Sequence, residues 1–181
     1  MYGGGTVGLM GEVSRTLVSL SGPSAVHGII PSALIETEQR GNAAKSKNLD
    51  EVVDESIYGR TTVVKDMHSR KELMARDVLD AGPGSGFVAL SGGYGTLEEL
   101  MEVVTWNQLG IHNRPIVLFN VEGYWDGLMQ WVRNATDTGF IRPGNASIIV
   151  EAKTAEEVIH CVKNYQPARD RLNLNWTTAD T

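Results

Sequence analysis

Four short apolar runs constrain this chain more than any other feature: Val26–Ile30 (VHGII), Phe87–Leu90 (FVAL), Pro115–Asn120 (PIVLFN) and Ser147–Val150 (SIIV). None alternates apolar with polar residues, the pattern expected of parallel strands covered on both faces. Helical patterns lie between them, at about residues 7–20, 64–80, 96–109, 124–138 and 154–164. Strand and helix alternating at this spacing predict an α/β fold, a Rossmann-like doubly wound parallel sheet flanked by helices. In such a sheet the ligand crevice forms outside the carboxyl ends of the strands. The 181 residues suffice for one domain with a sizeable core, read here as residues 1–165 followed by a polar tail, 166–181, expected to fray.

Composition narrows the function. A formal charge of −6 argues against general nucleic-acid binding, which shows a basic patch. Backbone amides can still hold a small anion without net positive charge. Cys161 is the single cysteine, which excludes an intramolecular disulfide and any multi-cysteine metal site. His27, His68, His112 and His160 show no metal-ligand spacing and read as structural or solvated. No apolar run is long enough to span a bilayer and no signal-peptide pattern opens the chain, so a cytoplasmic protein is expected.

Two regions break the rhythm. Residues 37–62 are polar with little periodicity and read as a long connection of the lid or binding-loop kind. At the start, "YGGGTVGLMG" is a glycine-rich turn opening an amphipathic helix with Val7, Met10, Leu17 and Leu20 near one face. Such a turn normally follows a strand, yet only Met1 and Tyr2 precede it, so either a first strand and helix are missing, the reading favoured, or another chain covers that sheet edge.

The stretch "VALSGGYGTLEEL" (Val88–Leu100) holds the densest chemistry. Gly92, Gly93 and Gly95 allow close backbone approach between a strand and the positive end of a helix dipole. That suits a phosphate, although a plain strand-to-helix turn fits as well. It is not a P-loop, because no Lys-Ser/Thr pair follows. The Thr96–Glu99 spacing also fits a capping box, with each side chain reaching the other residue's amide.

A second constellation lies in "MHSRKELMARDVL" (Met67–Leu79), where Met67, Lys71, Met74 and Val78 share a helix face with Arg70 at its edge. Cations in an apolar stripe either reach an anion or snorkel to water. Ser91 stands outside any G-x-S-x-G elbow and is a poor nucleophile candidate. Trp106, Trp125 and Trp131 read as core or subunit-interface residues.

Taken together, these stretches resemble a known family. "SGGYGTLEE" is similar to its P-G-G-x-G-T-x-x-E signature and "MHSRK" to its M-H-x-R-K. "YGGGTVGLMG", "GIIPSAL", "TWNQLGIH" and "NVEGYWDGL" match in order over nearly the whole chain. The family is the Lonely Guy type of cytokinin riboside 5'-monophosphate phosphoribohydrolase, often labelled "lysine decarboxylase". The resemblance implies a homodimer that hydrolyses the N-glycosidic bond of adenosine-type 5'-monophosphates, without cofactor or metal. It implies that Gly92, Gly93, Gly95 and Thr96 hold the 5'-phosphate, with Tyr94, Leu97, Glu98 and Lys71 also in the substrate site. Arg70 and Glu99 become the catalytic pair, and Thr105 and Glu38 are weaker transfers.

Glycosidic cleavage develops oxocarbenium character on the ribose, which a neighbouring carboxylate stabilises. Decarboxylation on a pyridoxal cofactor would need a Schiff-base lysine with a ring-nitrogen partner, and nothing in the sequence identifies one. Ser91 departs from the family's proline, and an opening βα unit of the family is expected to be missing. The other readings are a nucleotide carrier of the same fold and an inactive truncated paralogue. Arg70 together with Glu99 speaks for the enzyme, since a pure binder needs the glycines but not the acid.

Overall fold

The computed structural model describes residues 1–35 and 53–176. It has an α/β architecture of parallel sheets flanked by helices, consistent with a Rossmann-like fold, and divides into two compact units, Met1–Arg76 and Asp77–Thr181.

In the first unit, α1 (Gly8–Ser21) leads to β1 (His27–Pro31), followed by α2 (Glu55–Tyr58), β2 (Arg60–Val64) and the start of α3 (Met67–Asp80). β1 and β2 pair in parallel, with Ile29 opposite Thr62. Ile29 and Ile30 are completely buried. Tyr2 adds a parallel bridge to Gly28: its amide donates to the His27 carbonyl at 3.0 Å, and its carbonyl accepts from the Ile29 amide at 3.1 Å. The opening glycine turn therefore does follow strand-paired backbone. Gly4, at φ +76°, adopts a conformation that favours glycine.

One expectation fails in this unit. Val53–Thr62, read as irregular, includes α2 and much of β2. Asp54 caps α2 by accepting the Ser56 amide at 3.0 Å. In β2, "RTTVV" leaves Arg60 and Val63 exposed, which conceals a strand from an apolar search. In α1, the apolar face read from the sequence is exposed. Gly11 and Ser14 are its buried residues, while Val7, Met10, Leu17 and Leu20 are exposed.

In the second unit, β3 (Phe87–Ala89), β4 (Ile116–Phe119) and β5 (Ile149–Ala152) form one parallel sheet with β4 in the middle. Its helices are α4 (Tyr94–Gln108), α5 (Asp126–Asp137) and α6 (Ala155–Asn164). Leu100 and Val103 of α4 and Val132 of α5 pack with Ile116, Leu118, Ile149 and Trp125 in the core. Trp125 is buried as expected, whereas Trp131 stays exposed. Val88, on the edge strand β3, is also exposed, unlike the covered strand the sequence suggested.

Residues 166–176 do not fray. Ala168 is buried, and the Arg171 guanidinium donates to the carbonyls of Asn107 and His112. These polar contacts satisfy carbonyls at the C-terminal end of α4 and beyond it, where the helix ladder has run out. None of the helices in the described residues is long and apolar enough to cross a membrane.

Candidate active site

The expected site residues fall in both units, and each group is described within its own. Arg70 and Lys71 occupy the first turns of α3. Asp66 starts that helix by accepting the Ser69 amide at 2.7 Å, an interaction that holds its carboxyl below the ordinary carboxylate range. Arg70 is half-buried and turns onto the main chain instead of snorkelling. Its Nε donates to the Ile29 carbonyl at 3.2 Å and its Nη2 to the Gly3 carbonyl at 3.4 Å. Nη1 lies 3.8 Å from Met67 Sδ. The guanidinium is thus tied to both β1 and the opening glycine turn. A Cβ on Gly3 would fall 2.0 Å from Nη2, so the turn's glycine leaves room for the cation. Lys71 is the next residue and is half-buried.

The second group begins at the exit of β3. Helix α4 opens at Tyr94, with Gly93 as its N-cap and no side-chain cap. Its first helical hydrogen bond runs from the Leu97 amide to the Gly93 carbonyl at 3.1 Å. The amides of Tyr94, Gly95 and Thr96 therefore precede the ladder and lie at the positive end of the helix dipole. The capping-box expectation is corrected here: Thr96 lies inside the first turn, because the helix starts two residues earlier than its periodicity suggested.

The three glycines differ in what they avoid. A Cβ on Gly92 would come within 2.2 Å of Thr96 Oγ1, so the fold itself needs that glycine. A Cβ on Gly93 or Gly95 would meet no atom of the described residues within 4 Å. Gly93, Tyr94 and Gly95 are exposed, while Thr96, Leu97 and Glu99 are half-buried. Internal packing therefore does not require a glycine at positions 93 and 95. Glu98 and Glu99 follow on the next turn of the helix. Thr105, three turns into α4, is exposed, and its hydroxyl donates to the Met101 carbonyl at 2.8 Å. Glu38 lies outside the described residues.

One participant escaped the sequence reading. The Tyr124 hydroxyl donates to the Gly92 carbonyl at 2.7 Å across 32 positions of chain. Tyr124 is held in a turn organised by Asn120, which is 1% exposed. Asn120 Oδ1 accepts the Trp125 amide at 2.7 Å, and Nδ2 donates to Asp126 Oδ1 at 2.7 Å and Glu151 Oε1 at 2.9 Å. "NVEGYWDGL" carried no sequence signal for this contact beyond its place in the family pattern.

An α/β protein with exposed amides at a helix N-terminus and an arginine tied to a glycine turn is thus defined before any comparison. The model of the family described as "Possible lysine decarboxylase" matches residues 10–162. The chain belongs to that family, the Lonely Guy family its motifs resemble. It is 51% identical over 178 residues to a bifunctional cytokinin biosynthesis protein of Fusarium pseudograminearum, covering 97% of this chain and 35% of the relative. A cytokinin riboside 5'-monophosphate phosphoribohydrolase of Arabidopsis thaliana is 42% identical over 182 residues, 99% of this chain and 74% of the relative. An Oryza sativa subsp. japonica protein named a "probable" enzyme of the same activity is 42% identical over 180 residues, 98% of this chain and 75% of the relative. The chain thus spans about a third of the fungal protein and about three quarters of each plant relative.

Proposed function

We propose that this chain hydrolyses the N-glycosidic bond of cytokinin riboside 5'-monophosphates, and of adenosine 5'-monophosphate, releasing the free base and ribose 5-phosphate. The observation that carries this reading is the start of α4. Its leading amides precede the helix ladder, beside glycines that internal packing does not require, and an acidic pair follows one turn later. The relatives' names favour hydrolysis over the carrier reading and over decarboxylation.

In this reading the amides of Gly93, Tyr94, Gly95 and Thr96 hold the 5'-phosphate at the helix N-terminus. Binding energy from the phosphate, which does not react, fixes the ribose for attack. As the C1'–N9 bond lengthens, positive charge grows on the ribose, and the Glu99 carboxylate stabilises it. Glu99 also takes a proton from the water whose oxygen bonds to C1', while the bonding pair leaves with the base. Arg70 orients the nucleotide and stabilises the departing base, with Lys71, Leu97, Glu98, Thr105 and Glu38 contributing to the substrate site.

The active form is a homodimer in the cytoplasm that does not engage nucleic acid. The exposed apolar face of α1, with Leu9, Val13 and Leu20, supports subunit contact. Incubation with adenosine 5'-monophosphate and its N6-isopentenyl analogue, followed by assay of free base and ribose 5-phosphate, tests the activity. Release of both products is expected. Binding of the nucleotide without product would establish the carrier reading instead.

A further inference from the structure

Resting on the phosphate-site reading above, we infer that Tyr124 is a positioning residue that sets the orientation of the phosphate-binding loop. A trans peptide is planar, with its C=O and N–H on opposite sides. The Tyr124 hydroxyl, 2.7 Å from the Gly92 oxygen, therefore fixes the Gly92–Gly93 peptide with the Gly93 N–H turned away from the phenol. Two consecutive glycines impose little steric resistance to a flip of that peptide. Ser91 stands where the resembled motif has a proline, so φ is not locked at the preceding position. The phenol supplies from outside the loop a constraint that the loop's own residues do not provide.

The phenol is itself well placed for this work. Asn120, buried behind the turn, grips the Trp125 amide immediately after Tyr124. The Tyr124 amide donates to the Val121 carbonyl at 3.1 Å, closing the turn on the other side. Glu122, at φ +53°, adopts a left-handed conformation that side-chain-bearing residues rarely adopt, and Gly123 follows at φ +75°. The Tyr124 ring meets the Trp125 ring edge to face at 5.0 Å. This strained, buried-asparagine turn presents one exposed hydroxyl to one loop carbonyl. Tyr124 need not touch the nucleotide; it acts through the direction of the Gly93 amide.

Tyr124→Phe deletes the hydroxyl and keeps the ring against Trp125. Binding of adenosine 5'-monophosphate is measured by calorimetry in Glu99→Gln and in Glu99→Gln/Tyr124→Phe, so that turnover does not intervene. Steady-state kinetics and melting temperature are measured for Tyr124→Phe alone. The expected result is a roughly 5- to 10-fold loss of affinity with a matching rise in KM, the effect of one lost neutral hydrogen bond. Turnover and melting temperature stay essentially unchanged. Equal affinity in the two backgrounds overturns the inference, as does a loss that only accompanies a fall in melting temperature. If the parent chain binds the nucleotide but releases no base, the enzymatic reading fails while the calorimetric comparison still decides the role of Tyr124.

Discussion

Arg70 and Gly3 are matched to each other: Nη2 of the arginine donates to the Gly3 carbonyl at 3.4 Å, and a Cβ on that glycine would lie 2.0 Å from the same nitrogen. Gly3→Ala therefore displaces the guanidinium from its seat on the glycine turn. The displaced atom ends a flexible side chain, so the fold accommodates the change. Activity is expected to fall about 10- to 100-fold, the scale at which an ångström of misplacement acts. The melting temperature should move by no more than about 2 °C. Kinetics and thermal unfolding on the same preparation check both halves.

The glycines of the α4 loop should respond differently to alanine. Gly92→Ala drives a methyl into Thr96 and lowers stability together with nucleotide affinity. Gly93→Ala and Gly95→Ala place their methyls in open space. Gly95→Ala, inside the first turn of α4, should hold or raise the melting temperature, since alanine is the better helix former by up to about 1 kcal/mol. Each of these two variants should still lose about tenfold in affinity for the 5'-monophosphate, or about 1.4 kcal/mol. Opposite signs for stability and binding distinguish a ligand cradle from a plain turn.

Asn120→Asp is nearly isosteric yet should be among the most damaging single changes. It keeps an acceptor for the Trp125 amide but removes the donor shared by Asp126 and Glu151, leaving three carboxylates together. Urea unfolding at pH 7 should show a loss of about 3 kcal/mol. The three carboxylates repel one another once the amide donor between them is gone. A loss below about 1 kcal/mol would contradict this reading.

His112 supplies a pH dependence. Burial lowers its pKa from the ordinary value near 6.5. The ring accepts the Arg114 amide at Nδ1, 3.1 Å away, which leaves Nε2 as the donor to the Val103 carbonyl at 2.8 Å. A second ring proton would face that Arg114 N–H. The folded state therefore resists a proton that the unfolded chain accepts, so the stabilisation is complete above about pH 6.5 and is lost as pH falls. The stability gap between the parent chain and His112→Gln should be widest at pH 7–8 and should narrow toward pH 5. Denaturant titrations across that range measure it.

Much of this was legible in the sequence because burial writes itself as apolar continuity. Ile29, Ile30, Ile116, Val117 and Leu118 lie in the runs that announced the strands, and all are essentially inaccessible. β2 escaped because "RTTVV" pairs, among the described residues, with β1 alone and leaves Arg60 and Val63 exposed with the rest half-buried. The tail escaped because it is held in large part by Arg171 on main-chain carbonyls, contacts without periodicity. The start of α4 was misjudged because a glycine within the first helical turn reads as loop. The link from Tyr124 to Gly92 joins distant residues through a main-chain oxygen, which no side-chain pattern encodes.

In the proposed reaction the Glu99 carboxylate promotes cleavage of the bond between base and ribose 5-phosphate. The most direct test of that role is single-turnover hydrolysis of N6-isopentenyladenosine 5'-monophosphate by the parent chain and by Glu99→Gln, with nucleotide binding measured alongside. The parent chain should release stoichiometric isopentenyladenine and ribose 5-phosphate. The variant should react at least about a hundredfold more slowly, the scale of a lost general base, with affinity retained. Full activity in Glu99→Gln would contradict a catalytic role for Glu99.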